Sequence, residues 1–162
     1  MQRTARHHRL GVIVLAASVA LAACTSEADD AATAVCEPDT TEVEPLIGPE
    51  AQASSDGQIE AWALFFPTTF SMPNGEPIRI PEDREIKIAW RVTGSGDFAI
   101  EATGPDGLVI APDSGPDLHS GSSWGRPGDE WGTGWTFPEP GCWTFRLQRG
   151  ESKANLNVDI TA

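Results

Sequence analysis

The chain has 162 residues, a formal net charge of −13 at pH 7, and six Trp with no Tyr. Residues 24–162 carry eight Lys and Arg against twenty-four Asp and Glu, a formal charge of −16. That balance excludes nucleic acid as a partner, since phosphate contacts need cations, and it repels an anionic bilayer surface, which favours a body standing off from it.

Arg3, Arg6 and Arg9 precede the apolar run Leu10–Ala23, which stops at Cys24. A cationic start followed by a short apolar stretch is the order of a secretory signal peptide. Fourteen residues rise only about 21 Å as a helix, short of the roughly 30 Å hydrocarbon core, so residues 1–23 are expected to be cleaved rather than to span. Leu21-Ala22-Ala23-Cys24 resembles the bacterial lipobox. The resemblance implies diacylglycerol on the Cys24 sulfur and a lipid-anchored protein on the extracytoplasmic face of the cell membrane, where two acyl chains hold what one would hold only marginally. Ordinary secretion with a free Cys24 is the alternative.

No Lys or Arg occurs between Arg9 and Arg79, and residues 25–58 are rich in Ala, Ser, Thr, Glu, Asp and Pro. Residues 24–58 are therefore expected to be an acidic flexible tether, extended by self-repulsion. From Ile59 the pattern changes to short strands, making residues 59–162 the folded domain. Ile59–Phe66 reads as an opening strand, and Asn74-Gly75 marks a turn before Ile78 and Ile80. Ile86, Ile88, Trp90 and Val92 alternate with Lys87, Ala89, Arg91 and Thr93, the period expected when one face is buried and the other wet. Phe98, Ile100 and Ala102 continue it after the Gly94–Asp97 turn, and Pro105-Asp106-Gly107 precedes Leu108–Ile110. Trp135 and Phe137, then Trp143, Phe145 and Leu147, then Leu156, Val158 and Ile160 mark three more strands.

No window offers an amphipathic helix. About seven or eight strands in 104 residues is the rhythm of an all-β, two-sheet antiparallel sandwich; a closed small barrel is the alternative. The tail from Gly134 to Ala162 resembles the last three strands of immunoglobulin-like sandwich domains of secreted bacterial proteins. With Phe137-Pro138, Gly141 and Trp143 it is also similar to a loose group of bacterial lipoproteins that share an FP-x-x-G-x-W ending. The resemblance implies an immunoglobulin-like fold and an envelope address, and it brings no catalytic residue.

With Cys24 lipidated, Cys36 and Cys142 remain, an even number for an oxidising compartment, and a disulfide between them is expected. Closing so long a loop contributes about 4 to 5 kcal/mol by chain-entropy reasoning. Two separate thiols are the alternative.

Gly121-Ser122-Ser123-Trp124-Gly125 spells G-x-S-x-G, which would make Ser123 the nucleophile of a small esterase. The order is wrong for that, because His119 precedes Ser123, and no helical pattern follows. His119 with Asp113 or Asp117 lacks a second imidazole or thiolate for a transition metal, and Cys142 is followed by none of the ligands of a copper sandwich. Asp106, Asp113, Asp117, Asp129 and Glu130 have no calcium-loop spacing. No metal or other cofactor is expected.

Trp90, Trp135 and Trp143 read as core. Trp124 and Trp131 fall among Gly125, Gly128, Gly132 and Gly134 in what reads as a long loop between Ile110 and Gly132, and long loops carry function. Two readings stand: rings that cap an open end of the sandwich, or an exposed platform for a sugar, a peptide or a partner protein. The expectation for the chain is a non-enzymatic binding module, with Trp124, Trp131 and His119 as candidate contact residues for a cell-envelope protein or glycan. A structural accessory subunit of an envelope complex is the alternative.

Overall fold

The computed structural model describes residues 37–44, 48–66, 74–120 and 122–162. The expected signal peptide, Cys24 and Cys36 lie outside them. Among the described residues there are twelve strands: β1 (Glu42–Glu44), β2 (Gly48–Gln52), β3 (Ser54–Ser55), β4 (Ala61–Phe66), β5 (Arg79–Pro81), β6 (Ile86–Val92), β7 (Phe98–Thr103), β8 (Val109–Ile110), β9 (Ser114–His119), β10 (Asp129–Trp135), β11 (Gly141–Arg149) and β12 (Ser152–Thr161).

They form two packed sheets, a sandwich and not a closed barrel. The first runs β1-β2-β4-β6-β10-β9 and the second β3-β12-β11-β7-β8, with β5 lying parallel on β12. The other pairings are antiparallel. Successive pairs of strands alternate between the sheets, so that β4-β6-β10-β9 faces β12-β11-β7-β8. That is the strand order of an immunoglobulin-type sandwich, to which β1, β2, β3 and β5 are additions.

The alternation read in the sequence is the cause of this arrangement. Ile86, Ile88, Trp90 and Val92 of β6 turn inward, as do Trp143, Phe145 and Leu147 of β11 and Leu156, Val158 and Ile160 of β12. Aromatic rings fill the middle. Phe145 meets Trp90, Trp135 and Phe137 edge-on at centroid distances of 5.2, 5.0 and 5.8 Å, and Phe137 meets Trp143 at 5.1 Å. Such pairs add about 0.5–1.5 kcal/mol each beyond the burial of their area. Thr133 of β10, 2% exposed, supplies the polar contact they need: its Oγ1 accepts hydrogen bonds from Trp90 Nε1 and Trp135 Nε1, both at 2.8 Å, and donates to the Ile88 carbonyl.

Two expectations are corrected. The tether does not run to residue 58. Asp39 bonds to the Asn157 backbone, Thr40 bridges Pro77, β2 pairs with β4, and β3 crosses to β12 in the other sheet. Ala51 of β2 and Ala53, between β2 and β3, turn into the core, and residues this small leave no hydrophobic period in a polar stretch. The long loop between Ile110 and Gly132 is likewise absent as such. It contains β9, an edge strand whose residues are mostly exposed, and the start of β10. Trp131 therefore sits in a strand and faces the core.

Candidate functional site

On the outer face of the first sheet, register aligns three rows of side chains across β4, β6, β10 and β9. One row is Trp62, Arg91, Glu130 and His119; the next is Leu64, Ala89, Gly132 and Asp117; the third is Phe66, Lys87, Gly134 and Ser114. Gly132 and Gly134 leave the floor of the middle bare. The gap is used: a Cβ at Gly132 would fall 2.5 Å from His119 Nε2, and one at Gly134 would fall 2.6 Å from Ser114 Oγ. Two adjoining depressions result, of about 130 Å³ and 230 Å³. Both are lined by Lys87, His119 and Gly132; Leu64, Phe66 and Ser122 wall the first, and Glu85, Ser114 and Asp117 the second. The trough thus offers an ammonium, an imidazole, two hydroxyls and the carboxylates of Glu85 and Asp117 against a short apolar wall, with Glu130 at its side held by Arg91.

Residues 122–128 cross the same face as a strap. Trp124, 4% exposed, packs on Trp62, Leu64 and Ala89 in a cluster separate from the main core. Its indole donates from Nε1 to Glu50 Oε2 at 2.7 Å. Arg126 donates to both oxygens of Glu50, reaches Glu42 Oε2 at 3.4 Å, and lies 5.7 Å above the Trp62 ring. Glu50 is only 1% exposed. A carboxylate that deep is stable only when paired and hydrogen-bonded, and two strap residues satisfy it. Arg91 fastens the far end of the strap by donating to the Gly128 carbonyl at 2.9 Å and to Glu130 at 3.0 Å. Gly128 has φ +93° and a Cβ there would meet the Val92 carbonyl at 2.3 Å, so the strap can return to β10 this tightly only with glycine at that position.

The candidate residues of the sequence separate on this frame. His119 lines the trough. Trp124 is the underside of the strap, and Trp131, 7% exposed, packs on Phe98 at 4.7 Å inside the sandwich. The platform reading of these two rings is therefore corrected: neither presents a face to a ligand. Trp131 is further covered by Arg149, whose guanidinium carbon lies 4.5 Å above the ring and which donates to the Val92 carbonyl and Asp129. Ser123 is exposed on the strap, and the chain after it leads into a strand, so the strand-to-helix elbow that G-x-S-x-G needs is not formed there. Asp129 and Glu130 are bound to Arg149 and Arg91, and among the described residues no group of three or more His, Cys, Asp or Glu is placed to hold a metal ion. Cys142, half-buried at the start of β11, does not stand as a free thiol.

Sequence reasoning missed Lys87 and Ser114 as trough residues and Glu50 and Arg126 as the pin of the strap. One signal was present. In Trp131-Gly132-Thr133-Gly134-Trp135 the large residues alternate with glycines, which is a strand with one full face and one empty one. No protein family, curated protein or solved structure matches this chain.

Proposed function

We propose that the chain is a lipid-anchored extracytoplasmic lipoprotein, held at Cys24, whose sandwich domain is a non-enzymatic module for binding a protein of the cell envelope. The observation that carries the binding reading is the trough of Lys87 and His119 with its glycine floor, lying directly beside the edge strand β9. A free sheet edge offers main-chain donors and acceptors, and side-chain pockets beside it give selectivity. Leu118, 68% exposed on that edge, adds an apolar contact. The strap holds the trough wall in one geometry, so little ordering cost falls on binding. The anchor reading rests on the Leu21–Cys24 lipobox, and pairing of Cys36 with Cys142 belongs to the same reading of an oxidising compartment.

The test has two arms. Wild-type and Cys24→Ser chains are expressed in the same cells and fractionated; the wild type stays with membranes and takes up labelled palmitate, and the variant is released unlabelled. Equal membrane retention and no label in either removes the anchor. A Lys87→Glu, His119→Ala double variant is then compared with wild type in co-purification from detergent extract. A partner recovered with wild type and lost with the variant supports the trough; a partner recovered equally with both makes the chain an accessory subunit held through another surface.

A further inference from the structure

The opposite face of the sandwich carries a second groove, of about 350 Å³, across β7, β11 and β12. Its outward side chains are Glu101 of β7, Arg146 and Gln148 of β11, and Lys153 and Asn155 of β12, around a low point at Ala99. All six are exposed. From them we infer a binding site for a hydroxyl-rich anionic ligand of the uronic-acid oligosaccharide class.

Charge is the first argument. In a chain of net −13, Arg146 and Lys153 stand on one face at diagonal positions, since Arg146 pairs with Asn155 and Gln148 with Lys153. Like charges at such positions repel weakly in the free protein and both gain from a shared anion. Their competitor is weak: Arg146 approaches Glu101 only to 3.8 Å in an exposed pair, and among the described residues Lys153 makes no ion pair. The cations Arg79, Arg91, Arg126 and Arg149, by contrast, are all engaged at 3.4 Å or closer.

The uncharged neighbours decide between sugar and peptide. Asn155 presents a donor and an acceptor, and Gln148, which donates one N–H to the Gly150 carbonyl at 2.9 Å, keeps its second N–H and its oxygen, which matches hydroxyls that also do both. A peptide main chain is read by a strand edge, and here the backbone of β11 is already paired on both sides, to β7 and to β12. The groove also has no exposed apolar side chain larger than Ala99 to seat a peptide anchor. No aromatic ring lies in it, so sugar rings are held by their edges, through hydroxyls and the carboxylate, rather than by stacking.

The experiment is a calorimetric titration of the full chain in detergent micelles with trigalacturonic acid, maltotriose and triglutamate. The inference expects binding of trigalacturonic acid, at least about tenfold weaker binding in Arg146→Ala, Lys153→Ala as two charged hydrogen bonds are removed, and unchanged binding in His119→Ala, which alters only the trough. These positions are exposed, so the thermal midpoint of the double variant stays at the wild-type value and a lost signal is not lost folding. Gln148→Ala, Asn155→Ala weakens trigalacturonic acid while leaving both cations in place. Absence of binding at millimolar ligand, undiminished binding in the cation double variant, or triglutamate binding as tightly as trigalacturonic acid overturns it.

Discussion

Replacing Thr133 with Val keeps the outline of the side chain and removes the acceptor that Trp90 Nε1 and Trp135 Nε1 share. Both indoles are fully buried, so neither N–H is offered water instead. An unsatisfied buried donor costs about 1–3 kcal/mol, and two of them, offset by the desolvation of a hydroxyl that Val no longer requires, leave a loss of about 3 kcal/mol. In a domain of this size that lowers the thermal midpoint by about 10 °C. Thr133→Ser is the control, because it retains the hydroxyl and deletes one methyl group, for about 1 kcal/mol. Urea unfolding followed by circular dichroism therefore ranks wild type above Ser and Ser above Val. A Val variant as stable as the Ser variant would refute the claim that the hydroxyl, and not the shape, is what position 133 contributes.

Glu50→Ala leaves the Trp124 indole and the Arg126 guanidinium without their shared carboxylate and costs roughly 2 to 3 kcal/mol, and acrylamide quenching of Trp fluorescence rises as the strap lifts; unchanged quenching counts against the pin. Asp39 has its carboxyl raised above the ordinary value, chiefly by burial, with the Asn157 N–H pulling the other way. Its contribution is present below the unfolded-state pKa and is lost as the pH rises through the raised value, so Asp39→Asn, which keeps an acceptor for Asn157, is expected to gain stability relative to wild type between about pH 4 and pH 7. Denaturant midpoints at those two pH values check this, and a gain that is the same at both refutes it. Asp56 runs opposite: hydrogen bonds from Gln58 and Lys153 lower its carboxyl, so its contribution is present above the unfolded-state pKa and lost as the pH falls through the lowered one.

The strands that could be read from the sequence are those in which large apolar residues alternate with polar ones, as in β6, β7, β11 and β12. Those that could not are built differently. β2 buries Pro49, Glu50 and Ala51 in a row, β3 is two exposed serines, and β9 is an edge strand whose residues are mostly exposed, so none of the three has a hydrophobic period to detect. Gly132 and Gly134 read as loop residues in the sequence and draw Trp131 into a loop with them, whereas in β10 they are the outward positions of a strand. The site was legible only at His119. The Trp124 contact with Glu50 joins residues 74 apart in the chain, and its partner lies in a segment whose composition is that of a linker. No local pattern carries such a pairing, which depends on β2 adding to the sheet edge.

That early strand entry also sets a distance. Because Asp39 is already bonded to β12, a lipid at Cys24 would be joined to the folded body by about fifteen residues. Even pulled straight they reach no more than about 50 Å. Under the proposed anchoring, the sandwich would work on a short leash, within range of proteins rooted in the same bilayer, and would select among neighbours of the anchor and not among targets across the wall.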